Sequence, residues 1–350
     1  MDSLPLSSTR EYRIAKDGID SLELHETPLN ALKRNEVLVK IYSVALNYRD
    51  LIIVNGNYPA VVKDNVVPCS DMAGQVVAVS PSVTRWKIGD RVTSSFFLDH
   101  IYGELNANSF ETALGGPIDG VLTQYRAFPE HALVAIPDKL TYHEVASLPC
   151  AGVSAYNALY GAVPLKPGDS VLVQGTGGVS LLALQIAASA GASVIITSSS
   201  DAKLEIARGL GAMHTINYRT TPDWDKEVLK LTNGTGVDYV IEVGGEATLG
   251  KSLASIRVGG YIPMVGYLAG LDRPSDFGNL VVKVISKAAN LRGIPGGHRG
   301  HLENLIKLIS VTGMKPYIVR VFKFDEAKLA FSYLAKQEHV GKVVIQVADD

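Results

Sequence analysis

The sequence predicts an α/β protein in two parts, an all-β barrel or sandwich followed by a doubly wound parallel sheet. Three observations carry that expectation. Up to about residue 140, short β-type runs alternate with turn signals. Beyond it, continuous Val/Ile runs alternate with helical segments, the pattern of strands buried on both faces. Residues 341–347 then return to β character, which suits a last strand that rejoins the first part.

The elements follow in order. Residues 36–42, 74–79 and 90–93 are the clearest early strands, bounded by Pro68, Pro81 and the Gly89-Asp90 pair. Segment 95–120 lacks a regular pattern and reads either as a long loop flanking a functional cleft or as a merely mobile one. The second part opens with a strand at 170–174, a helix at 178–190 and a strand at 193–197. A helix at 201–210 follows, with Asp201 as its cap. Further strands are expected at 214–216, 237–241 and 260–265. The domains so defined are 1–135, completed by 316–350, and 136–315.

Composition narrows the function classes. Of 350 residues, 47% are hydrophobic and 19% charged, enough for large cores and too apolar for a disordered chain. A net charge of -2 gives no electrostatic reason to expect nucleic acid or an anionic membrane as partner. Two cysteines, Cys69 and Cys150, are too few for a disulfide framework or a four-cysteine zinc lobe. Residues 1–18 do not read as a signal peptide, and no apolar run reaches the ~18 residues of a membrane helix. A cytoplasmic protein is expected.

The strongest local motif is Gly175-Thr176-Gly177-Gly178-Val179-Ser180, which follows a predicted strand and opens a predicted helix. Glycines there permit a tight turn and let the backbone approach a pyrophosphate whose charge the helix N-terminus favours. Ser180 stands where a third glycine is usual. The context predicts a dinucleotide site, with a Gly-rich turn that holds no ligand as the other reading. An acidic residue at the end of the second strand would bind the ribose hydroxyls of NAD. The chain instead has Ser198 and Ser199, with Lys203 in the next helix and Tyr218 after the third strand. Hydroxyls and a cation suit a 2′-phosphate, so NADPH is the expected cofactor, with a solvated helix residue as the other reading of Lys203. Val243-Gly244-Gly245, Val265-Gly266-Tyr267 and Ile294-Pro295-Gly296 fall at later strand ends and are expected near the nicotinamide, or else are simple turns. Ser154 is expected near the diphosphate.

Through these motifs and the stretches below, the chain resembles the medium-chain dehydrogenase/reductase superfamily over nearly its full length. It looks most like the zinc-free quinone oxidoreductase and enoyl reductase branch, and like fungal and bacterial zinc-type alcohol dehydrogenase-like proteins. Besides the Gly-rich turn, the matching stretches are 35–39, 45–50, 55–59, 71–76, 87–92 and 339–344. The resemblance implies a GroES-like β-barrel catalytic domain closed by the C-terminal segment, a Rossmann domain, an active site in the cleft between them, and a homodimer.

The same resemblance locates the metal question. The ligand positions of zinc-dependent relatives fall on Asn47, Ser70 and Cys150, a poor set for an ion that needs about three good donors. No metal is therefore expected, and Cys150 reads as a small buried hydrophobe. Carbonyl polarisation must then come from hydrogen-bond donors. Asn47 occupies the vacated ligand position, beside the cofactor and the substrate. Tyr58 stands where the resembling reductases carry an active-site tyrosine, and Tyr48, Arg49 and Asp71 complete the polar shell. Each has a structural reading too: Asn47 as a turn cap, Tyr58 as loop packing, Arg49–Asp71 as a buried ion pair. The expected activity is NADPH-dependent reduction of an enone or quinone. The alternatives are metal-free carbonyl reduction or alcohol oxidation, and an NADPH-binding protein without turnover.

Overall fold

The computed structural model describes residues 7–268 and 277–349, and the chain divides into two compact units at Val153/Ser154 and Gly296/Gly297. The first unit is built on a seven-stranded sheet. Its path runs Ile318–Lys323, Lys342–Gln346, Glu36–Leu46, Asp71–Val79, Arg91–Ser94 and Leu133–Ala135, with Tyr125–Pro129 also paired to Glu36–Leu46. All these pairings are antiparallel except the first. The alternating apolar positions of Glu36–Leu46 explain its central place: Val37, Val39, Ile41 and Val44 are fully buried, packed with Phe128 and Phe331.

Two registers position the chemistry of this unit. Val343 pairs with Leu46, so the C-terminal strand does rejoin the first part of the chain. Ala45 pairs with Asp71 on the other side. Asn47, Asp71 and Lys342 therefore arrive together at one end of three neighbouring strands.

The second unit holds a six-stranded sheet, all parallel, in the order His214–Asn217, Ser193–Ser198, Ser170–Gln174, Val237–Ile241, Ile256–Met264, Asn290–Gly293. Taken in sequence the strands lie 3-2-1-4-5-6 across the sheet, the dinucleotide-binding order. Leu172, Ile195, Val240, Ile256 and Ile262 form its apolar centre. Because every strand is parallel, the loops that follow them all emerge along one edge.

Several boundaries differ from expectation. The second unit is shorter than 136–315. Residues 148–152 are tied into the first unit by the Cys150 N–H, which donates to Asp71, and Arg299 is tied there by its bond to the His131 carbonyl. Leu305 of helix Arg299–Thr312 lies against Gly152 within that unit, so hydrophobic contact holds the helix there. Asp201 is the first residue of its helix rather than the cap, a place Ser200 takes; its carboxylate instead accepts from Asn217. Segment 95–120 contains a short helix, Ala107–Phe110, and a bridge between Phe97 and Ala113. Among the described residues no helix is long and apolar enough to cross a membrane.

Candidate active site

Within the second unit the Gly-rich turn has the expected geometry. Gly175 adopts φ 71°, a conformation that leaves little alternative to glycine, and Gly177 caps helix Gly178–Ser189. Ser180 has a local reason to replace the third glycine: its hydroxyl donates to the Gln174 carbonyl at 2.7 Å and closes the turn. Thr176 and Val179 lie on the same turn, at the start of a helix whose first N–H groups have no partner within the helix.

The neighbouring strand ends line up beside it. Ser198 is buried, with its hydroxyl 3.5 Å from that of Thr176. The Tyr218 N–H donates to the Ser198 carbonyl at 3.0 Å, and the Tyr218 side chain is exposed. Ser199 and Lys203 are half-buried on the segment that follows. Ser154 is buried in helix Val153–Tyr160.

After the fourth strand the structure shows a device that the motifs did not reveal. Glu242 is 1% exposed, and its carboxylate accepts from Gly244 N, Gly245 N, Thr248 Oγ1, Gln174 Nε2 and Ser252 Oγ. Gln174 Oε1 in turn accepts from Val243 N. The Val243-Gly244-Gly245 loop is thus clamped by one carboxylate and one amide on adjacent strands. It also packs on the next loop: a Cβ on Gly266 would come within 3.0 Å of the Val243 carbonyl, and one on Gly245 within 3.0 Å of Tyr267 Cα. Val265 N donates to the Glu242 carbonyl, and Ile294 N to that of Met264. The Gly296 carbonyl accepts from Asn157 at 2.6 Å. An acidic residue ending an apolar strand was the only sequence signal for Glu242.

The first unit contains a buried polar cluster. Asn47 is the N-cap of helix Tyr48–Val54, and its own N–H donates to Asp50 at 2.8 Å. Its Oδ1 accepts from Lys342 Nζ at 2.7 Å, while its Nδ2 is buried with no hydrogen-bond partner. Asp71 accepts from the Ser70 hydroxyl at 2.6 Å and from Cys150 N at 3.1 Å, and lies 3.8 Å from Lys342 Nζ. Burial pushes the Asp71 carboxyl up, against the Lys342 ammonium and the Ser70 hydroxyl. Burial pushes Asp50 up more clearly, to about 6, against the pull of Arg49. The thiols of Cys69 and Cys150 are pushed up by burial and then by the neighbouring carboxylates.

The expected partners are rearranged. Arg49 pairs at 3.8 Å with Asp50 rather than with Asp71, whose cation is Lys342. The Arg49 guanidinium lies 5.1 Å from the Tyr58 ring and 4.8 Å from the Phe96 ring. Tyr58 is half-buried and joined to the cluster through that contact; Tyr48 is exposed. Lys342 went unread because a lysine opening a strand is ordinarily solvated.

An alcohol dehydrogenase GroES-like domain matches residues 33–138, and a zinc-binding dehydrogenase family matches residues 178–311. A zinc-type alcohol dehydrogenase-like protein of Schizosaccharomyces pombe is 44% identical, over 94% of this chain and 96% of its own. The chain belongs to the medium-chain dehydrogenase/reductase superfamily. Among solved members, a Sinorhizobium meliloti protein assigned provisionally to the alcohol dehydrogenases superposes with TM-score 0.89 at 38% identity, covering 99% of this chain and 100% of its own. The quinone oxidoreductase of Coxiella burnetii does so with TM-score 0.77 at 26% identity, covering 97% and 100%. The protein is thus an oxidoreductase of this superfamily, whose members bind a nicotinamide cofactor.

Zinc, which one matching family is named for, does not fit the residues present. Asn47 Oδ1 is committed to an ammonium and the Ser70 hydroxyl to Asp71, which leaves the Cys150 thiol as the single good donor of the three. A positive side chain among the would-be ligands opposes a divalent ion.

Proposed function

We propose that this protein is a metal-independent oxidoreductase that uses NADPH to reduce an α,β-unsaturated carbonyl or a quinone. The observation that carries the proposal is Asn47: a buried amide whose oxygen is held and whose Nδ2 donors are unpaired. When hydride adds to an enone or quinone, negative charge develops on the substrate oxygen. A preorganised N–H donor in a site of low dielectric stabilises that charge. The nicotinamide supplies the hydride when bound. The chain's contribution is then to bind, orient and donate. Asn47 offers the donor and Tyr58 a hydroxyl to relay a proton, with Asp71 shaping the charge around them. The turn 175–180 and the strand ends bearing Val243, Gly244, Val265, Gly266, Tyr267, Ile294 and Gly296 offer backbone to the dinucleotide. Absence of an acidic residue at Ser198-Ser199, with Lys203 and Tyr218 close in the fold, supports the 2′-phosphate form.

The test is incubation with NADPH or NADH and an enone, with product identification. A saturated ketone formed faster with NADPH supports the proposal. An allylic alcohol would make the protein a carbonyl reductase. Tight NADPH binding without turnover on enones, quinones or aldehydes would make it a silent binder.

A further inference from the structure

Lys342 is only 3% exposed, an unusual position for an ammonium. The register pairing Val343 with Leu46 delivers it to the end of the central strand. There Nζ donates to the Leu46 carbonyl at 2.8 Å and to Asn47 Oδ1 at 2.7 Å, with Asp71 at 3.8 Å. Asp71 in turn accepts from Ser70 and from the Cys150 N–H. Of the residues aligned with metal ligands, Asn47 touches this cation directly, while Ser70 and Cys150 are linked to it through Asp71.

We infer that Lys342 is a positioning residue that takes over the organising role of a bound metal and sets which end of the Asn47 amide meets the substrate. The physical reason lies in the amide. Its oxygen and nitrogen ends have nearly the same shape, so packing alone distinguishes them poorly. An ammonium has donors and no acceptor, so it takes only the oxygen as neighbour and turns Nδ2 the other way. The inference rests on the reduction reading above. Other charged or titratable groups around Asp71 are Asp50, Arg49, Cys69 and Cys150.

The experiment compares Lys342→Met and Lys342→Arg with the wild type, with two readouts. The first needs no activity: carboxyl 13C NMR of aspartate-labelled protein, with the Asp71 signal identified through Asp71→Asn. Removing an opposite charge at this range is expected to raise the Asp71 midpoint by about one pH unit or more in Lys342→Met, and Lys342→Arg is expected to restore it. The second is enone reduction: kcat in Lys342→Met falls at least about tenfold while the NADPH Kd stays within about twofold, the pattern of a lost transition-state donor. An unchanged Asp71 midpoint, or kcat within twofold of wild type, overturns the inference. If the wild type reduces no acceptor, the proposed function fails, and the Asp71 titration still judges Lys342. If Lys342→Met does not fold, the double variant Lys342→Met/Asp71→Asn decides. Recovery of Tm supports the paired charges, and a double variant no more stable than the single overturns them.

Discussion

Glu242 in the second unit and Asp50 in the first are both buried carboxylates, and their surroundings differ in kind. Glu242 accepts from two backbone N–H groups, two hydroxyls and an amide, so its charge is balanced by donors on every side. Asp50 accepts from Asn47 N through one oxygen, while its other oxygen, the whole Arg49 guanidinium and Asn47 Nδ2 have no hydrogen-bond partner. A saturated network holds a loop in one shape. An unsaturated one keeps donors in reserve, at an energetic cost that natural folds accept chiefly where a ligand can use them. The first arrangement suits a cofactor platform and the second a reacting centre.

The comparison can be broken most directly at Glu242. Glu242→Ala orphans its donors and is expected to lower stability by about 4 kcal/mol, read from urea unfolding, and to weaken NADPH binding. A loss below about 1 kcal/mol would mean the network is not a clamp. Asn47→Ala tests the reserve. Removing one donor to a developing oxyanion typically costs about a hundredfold in kcat, and NADPH affinity should stay nearly unchanged. A parallel loss of cofactor binding would place Asn47 outside the mechanism.

The third prediction concerns pH. The Asp50 carboxyl is raised from 3.8 to about 6 in the fold, so the folded state takes up a proton before the unfolded chain does. Stability from this group is present below pH ~4 and is lost as pH rises through ~6, with roughly 3 kcal/mol at stake. Asp71, also raised, acts with the same sign. Asp50→Asn should flatten the slope of Tm between pH 4 and 6; an unaltered slope would show that Asp50 is ionised throughout. The smallest effect is expected at the cofactor's edge. Lys203→Ala should raise the KM for NADPH about threefold to tenfold and leave that for NADH unchanged. An equal change for both would remove Lys203 from 2′-phosphate recognition.

Much of this was legible along the chain because it depends on local patterns. Parallel strands with a helix between them require Val/Ile runs, a glycine at φ 71° and a helix start in fixed succession, so Gly175 to Ser180 announced themselves. The β-rich first part and the return of residues 342–346 were readable from alternation and turns. Asn47 and Asp71 stood out through the family resemblance, which sets Asn47 at a metal-ligand position and Asp71 beside another. Arg49 was read as a partner for Asp71, and the fold gives it to Asp50, since the distances that decide between two neighbouring carboxylates are not written in residue spacing.

Sequence alone determined the two kinds of sheet and the Gly-rich turn, because each follows from residue type and short-range order. Tertiary structure alone decided that Lys342, 295 residues from Asn47, supplies the cation beside it, and that Glu242 clamps the loop after its strand. Burying a charge is tolerable only where partners converge from distant segments, and that convergence exists only once strand registers are set.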